Sequence, residues 1–339
     1  MWRIEQWSKT AILVARETRM FNNSARYLIL ILPFAGFATL SAYEETSSDG
    51  TFVATRMNNG EPIATEVMFQ ASGAGNREGK NIIGPSAVRI PDWISPADRA
   101  DPSAVYYLYF AHHQGKYIRM AWAAEINGLW TLYDVGDGVE KGDRGVLDLG
   151  GKPMPIGNGI VLADNHIASP NAHVDNANQR IILYFHSGSR TSVDGETIQG
   201  QKSLVAISSY GLEFASNVEP VVLGNSYFNV FHYGGNAYAL DNGGDLYKAR
   251  DAADPWQPPP GWDFAKELWK PTKSAYQAGI DRDAYEFSDL RIRHASTWVK
   301  GDTLYTFYSR RGATPPERIM MSVTDLGASS EHKDWESFT

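Results

Sequence analysis

The sequence predicts an all-β chain folded as a five-bladed β-propeller, and three observations carry that expectation. Short strand-like runs separated by Gly, Asn, Asp and Pro recur along the chain, with no long stretch of helical periodicity. These runs fall into self-similar groups of four at a period of about 40 to 70 residues, as radially repeated sheets do. A hydrophobic fraction of 43% with 12% aromatic residues is ample for the core of one large β domain over 339 residues.

The first group reads Gly84 to Ile90, Tyr106 to His113, Tyr117 to Ala123 and Gly128 to Tyr133. The second repeats that order as Ser169 to Asp175, Ile181 to His186, Ser203 to Ser208 and a Gly211 to Phe214 edge. A looser third group runs Tyr227 to Tyr233, Asn236 to Leu240 and Gly244 to Ala249. The fourth is clear again: His294 to Val299, Thr303 to Ser309, Arg318 to Val323, and Asp334-Trp335 at the end. Two further runs within Gly50 to Gln70 supply the expected fifth blade, with closure by the N-terminal strands. The competing arrangement is two separate β-sandwiches.

The first forty residues differ in character. A short basic start, Met20 to Arg26, precedes an apolar run from Tyr27 to Leu40 and small residues at Ser41 and Ala42, the layout of a secretory signal peptide. The run is shorter than the ~20 residues of a spanning helix. Residues 1–42 are therefore read as an over-long start plus signal peptide and 43–339 as one propeller domain. A secreted or periplasmic protein with no membrane contact after cleavage is expected. Net charge of -8 argues against nucleic acid, because phosphate binding needs a basic surface. The absence of cysteine removes disulfides and thiolate metal sites.

Gly84-Pro85-Ser86-Ala87-Val88-Arg89-Ile90 and Tyr106 to Ala111, followed by Arg119 to Ala123 and Gly128-Leu129-Trp130, resemble the five-bladed glycoside hydrolases of the arabinanase and xylosidase type (family 43-like). Relatives of that group include invertases and anhydrogalactosidases. The resemblance spans Asn81 to Trp335 and implies catalytic carboxylates at the starts of innermost strands, around an axial pocket. The chain departs from the pattern there. Gly84 stands where the family has the Asp of Asp-Pro-Ser, Ser169 stands at the second-blade Asp, and Arg293-His294 replaces an Arg-Asp pair.

If first strands leave the pocket face and second strands return to it, most of the eight histidines converge there with several arginines. His112, His113 and His186 close second strands, Arg310 and Arg311 follow another, and His166 and Arg293-His294 precede first strands. Histidine is not a favoured core residue, so its repetition at blade ends points to a binding face. Arg can grip a carboxylate with two parallel hydrogen bonds, which suits an acidic or sulfated sugar. The resemblance implies a carbohydrate substrate, with His112, His113, Arg119, His186, Tyr227, Arg293 and Arg310 as binding candidates.

Hydrolysis needs two carboxyl groups flanking the bond, and Glu286 and Asp289 in the acidic run from Asp281 to Asp289 are the candidates. A lyase is the alternative, in which His166, His173, His294 or Tyr227 removes the proton beside a uronate carboxyl group and Arg293 neutralises the charge. A non-catalytic carbohydrate-binding propeller is the third reading. No cofactor is required, though the resemblance implies a structural calcium near the axis, which His173 or His294 could approach directly or through water. Gly-rich phosphate loops and Gly-x-Ser-x-Gly elbows are absent. Trp256, Trp262 and Trp269 would either wall a sugar site or pack against a neighbouring blade.

Overall fold

The structure is a computed structural model that describes residues 9–17, 27–34, 44–46, 52–56, 82–111, 115–133, 145–148, 153–193, 196–271, 292–310 and 319–327. Among the described residues the chain is all-β, with two short 3-10 turns at Pro96–Asp98 and Ala215–Asn217 and no α-helix. Among the described residues no helix is long and apolar enough to cross a membrane.

Strands β1 (Lys9–Glu17), β2 (Tyr27–Phe34), β3 (Glu44–Thr46) and β4 (Phe52–Arg56) form an antiparallel sheet in the order β2-β1-β4-β3. Part of the expected signal segment is therefore strand β2. Of the fifth blade expected within Gly50 to Gln70, Phe52–Arg56 is a strand paired with β1 and β3, while residues 57–70 lie outside the described residues.

Four sheets built in blade order follow. In the first, β5 (Ile83–Arg89), β6 (Tyr106–Ala111), β7 (Tyr117–Ala123) and β8 (Thr131–Leu132) pair consecutively, and β9 (Leu147–Asp148) also pairs with β7. In the second, β10 (Met154–Gly157), β11 (Ile160–Asp175), β12 (Arg180–Val193), β13 (Glu196–Ser208) and β14 (Gly224–Asn225) stand in chain order. The third holds β15 (Asn229–Tyr233), β16 (Asn236–Leu240), β17 (Leu246–Lys248) and β18 (Lys270–Pro271). The fourth holds β19 (Ile292–Lys300), β20 (Thr303–Arg310) and β21 (Met320–Asp325).

Turn chemistry accounts for two tight hairpins. Asn158-Gly159 joins β10 to β11 with φ of 53° and 74°, and Gly234-Gly235 joins β15 to β16 with 56° and 77°. Two successive positive φ values twist a two-residue turn in the sense the strands require, and Asn and Gly adopt them readily.

The second sheet departs most from expectation. Its edge is Gly224–Asn225 and not Gly211 to Phe214; Phe214 instead donates its backbone N–H to Val146 O at 2.8 Å. His186 does not close its strand, because β12 continues to Val193. Ser187 to Ser192 holds only Gly188 and polar residues, so the continuation lacks the apolar alternation by which a half-buried strand is recognised.

The chain falls into two compact units, one of Met1–Asp148, Ala168–Ile181 and Ser208–Ala215, the other of Leu149–Ile167, Ile182–Ile207 and Ser216–Thr339. In the first unit Ile82, Leu108, Phe110, Ala121, Ala123 and Trp130 make one core. In the second, Tyr184, Val205, Leu223, Phe228, Tyr247, Trp256 and Trp269 belong to another. Burying each large apolar side chain contributes about 2 kcal/mol against the ordering entropy of the chain. Trp256 and Trp269 are thus core residues. Trp269 is fully buried, donates Nε1–H to Pro255 O at 2.6 Å, and meets Tyr184 edge to face. Trp262 packs against this core under the Arg250 guanidinium, 4.7 Å from its ring centroid.

Candidate functional site

Within the second unit, four of the sequence candidates come together: His166 on β11, His186 on β12, Tyr227 just ahead of β15, and His294 on β19. The Nε2 atoms of His166 and His186 are 3.0 Å apart, so one ring donates an N–H and the other accepts it. His186 stacks on Tyr227, with ring centroids 4.3 Å apart and planes at 23°. Tyr227 in turn meets His294 edge to face at 5.6 Å. His186 is 0% exposed, while the other three rings are partly open. Burial, then the positive charge that His166 or His294 can carry, pushes the His186 imidazole down to about 3. His186 is therefore neutral at ordinary pH.

A backbone feature repeats at the same place in all four blade-order sheets. Gly84, Ser169, Tyr227 and His294 have φ of 54°, 49°, 69° and 54°, the left-handed region. Each stands two residues before a small polar residue: Ser86, Asn171, Asn229 and Ser296. In β5 and β19 the left-handed residue sits in a break of strand register, between Ile83 and Ser86 and between Arg293 and Ser296. A left-handed backbone costs a residue other than Gly about 1–2 kcal/mol, and such strain persists only where neighbouring structure enforces it.

A Cβ at Gly84 would lie 3.0 Å from Ser169 Cα, so a side chain there would press on the backbone of β11.

The turn that presents Tyr227 is held by a polar network. Ser203 Oγ donates to Asn225 O at 2.5 Å and accepts from Phe228 N–H at 3.2 Å. Asn242 N–H donates to Ser226 O at 3.0 Å. Asn225 Nδ2 donates to Asp241 Oδ2 at 3.2 Å, and Lys202 Nζ donates to Asn225 Oδ1 at 3.0 Å and to Glu267 at 2.5 Å. Burial pushes the Asp241 carboxyl above its usual range, although hydrogen bonds from Asp245 and Gly243 N–H oppose this. None of these supporting residues was among the sequence candidates.

The remaining candidates lie elsewhere. Arg119, expected to bind substrate, is 2% exposed on β7 with its guanidinium 5.8 Å from the Phe110 ring centroid, which closes it to a ligand. The same correction applies to His186, whose full burial keeps it from direct substrate contact. His173 pairs its Nε2 with Asn171 Oδ1 at 2.8 Å on its own strand. Among the described residues, no group of three or more His, Cys, Asp or Glu could hold a metal ion. Arg293 and Arg310 are strand residues of β19 and β20. His112, His113, Arg311, Glu286 and Asp289 lie outside the described residues.

No family model matches the chain. An uncharacterized protein of Acanthamoeba polyphaga mimivirus is 27% identical over 252 residues, covering 73% of this chain and 63% of its own length. The chain thus spans less than two thirds of that relative. Similar solved structures include a thermostable family-43 glycoside hydrolase, at TM-score 0.43 and 16% identity over 73% of this chain and 70% of that one. A family-43 β-xylosidase/α-arabinofuranosidase from a compost microbial metagenome, in complex with xylotriose, gives 0.42 and 18% over 72% and 74%. A family-43 enzyme from Xanthomonas citri complexed with xylotriose gives 0.41 and 14% over 74% and 71%. At these scores the likeness decides nothing about this chain, whose all-β order rests on its own strand pairing.

Proposed function

We propose that the protein processes an acidic glycan, and that the chemistry is proton transfer by the imidazole and phenol groups of the His166, His186, Tyr227 and His294 cluster. The observation that carries this reading is the flat stack of Tyr227 on a buried, neutral His186, with His294 at the phenol ring's edge. Neutral imidazoles and a phenol are the groups that take and return protons near neutral pH.

On a uronate-containing chain, a base in this group would remove the proton beside the carboxyl group. The electron pair left behind forms a carbon–carbon double bond as the glycosidic oxygen on the adjacent carbon departs, and that oxygen takes up a proton. His186 cannot reach substrate, so it supports Tyr227 from behind, leaving Tyr227, His294 and His166 to face the sugar. Arg293, next to His294 in sequence, is the candidate to neutralise charge on the carboxyl group. Export is part of this proposal, on the basic and apolar segment from Met20 to Leu40.

Hydrolysis by Glu286 and Asp289 is the second reading, favoured by Asp289 lying only five residues before His294 in the chain. The experiment is to incubate the full chain with neutral, uronate-rich and sulfated glycans while following reducing ends and the ultraviolet absorbance of unsaturated uronates together. Both signals rising in step is the expected result. Reducing ends without absorbance would make the protein a hydrolase and move the chemistry to Glu286 and Asp289. Saturable binding without product would leave a carbohydrate-binding protein.

A further inference from the structure

The ring contact between Tyr227 and His294 joins two separate sheets, because Tyr227 leads into β15 and His294 lies on β19. Both residues also hold a left-handed backbone, uncommon for Tyr and less so for His. Some connection between the two strands must fix this pairing. Asn229, two residues after Tyr227, supplies one: its Oδ1 accepts the backbone N–H of Thr297 at 2.9 Å and the Thr297 hydroxyl at 2.6 Å. Thr297 is three residues after His294. The two strands are thus tied one step behind the two rings.

The tie belongs to a pattern. In the first unit, Ser86 stands two residues after left-handed Gly84, and its Oγ accepts the backbone N–H of Ala172 at 2.9 Å, three residues after left-handed Ser169. The same offsets, plus two on one strand and plus three on the next, recur in both units. At Asn229 the acceptor is a longer amide and takes a second hydrogen bond from a hydroxyl that Ala172 lacks. An amide oxygen has two lone pairs and can satisfy both donors at once. The doubled tie occurs at the pair of strands that carries Tyr227 and His294.

We infer that Asn229 is a positioning residue that sets the placement of the Tyr227 ring against His294. The consequence for activity rests on the proton-transfer reading above; the consequence for ring geometry does not. Asn229→Ala removes the acceptor, Asn229→Asp retains an acceptor oxygen on a side chain of nearly the same shape, and Ser86→Ala removes the corresponding bond of the first unit.

The experiment measures, for each full-length variant, the nuclear Overhauser contact between the Tyr227 and His294 ring protons, the thermal midpoint, and turnover of a uronate glycan. Asn229→Ala is expected to lose the ring contact and at least tenfold in kcat, with Asn229→Asp recovering both. Ser86→Ala is expected to lower the thermal midpoint while keeping the ring contact. An Asn229→Ala protein that is folded and keeps the contact overturns the inference, as does a Ser86→Ala protein that loses it. If Asn229→Ala does not fold, the Asn229→Asp ring contact decides: its loss despite a retained acceptor overturns the inference. A wild-type chain inactive on every uronate would remove the proton-transfer reading, and the ring contact alone would then decide the role of Asn229.

Discussion

The imidazole of His186 and the phenol ring of Tyr227 lie face to face, 4.3 Å between centroids. One of these rings is fully buried and the other is partly open to solvent. A leucine in place of His186 would break the Nε2 contact to His166. This contact makes the candidate site sensitive to the charge on one buried nitrogen.

Stability should therefore depend on pH through His186. Its folded imidazole titrates near 3 against 6.5 for an unperturbed one, so below pH 6.5 the unfolded chain takes up a proton that the folded chain does not. Stability from this group is complete above pH 6.5 and is lost as pH falls towards 3, at about 1.4 kcal/mol per pH unit. Urea unfolding at pH 7 and pH 5 should show a loss of about 2 kcal/mol from this source. His186→Gln should have a shallower pH slope than the wild type, and equal slopes would refute the assignment.

Gly84 should resist substitution. Gly84→Ala places a Cβ 3.0 Å from Ser169 Cα on a backbone with φ of 54°. Strained backbone alone costs about 1–2 kcal/mol, and the contact adds to it. Gly234→Ala, at φ of 56° with nothing near its Cβ, is the control that carries the backbone term without the contact. Thermal unfolding should rank Gly84→Ala as the less stable of the two.

Much of the fold was legible because alternation and turn residues are local signals. The strands around Tyr106, Tyr117, Asn236 and Thr303 appear in the structure close to their expected places. The polar half of β12 was not, since a strand with no apolar face leaves no period in the sequence. At the site, His166, His186, Tyr227 and His294 were individually nameable, as imidazole and phenol groups near strand ends. Their partners were not: Asn229 and Thr297 are 68 residues apart and their bond depends on how two sheets meet.

The tryptophans separate packing from sugar binding. Trp269 is fully buried among Tyr184, Phe228 and Pro255, and Trp269→Ala should cost about 3–5 kcal/mol in urea unfolding. A sugar-wall role would instead lower glycan affinity and leave stability near that of the wild type.

Tyr227→Phe tests the proposed chemistry with the least disturbance. Phenylalanine keeps the ring on His186 and the edge contact with His294, and it fits the same left-handed turn at the same conformational cost. Only the phenol oxygen is removed. A positioned acid or base contributes about 10²–10⁴-fold to rate. Elimination from a uronate glycan should therefore fall by at least a hundredfold in kcat while the thermal midpoint stays within a degree or two of wild type. If turnover is unchanged, the phenol is a packing ring and the proton passes through His166 or His294 instead. His294→Gln would then carry the loss, and its kcat would lose the pH dependence that an imidazole confers.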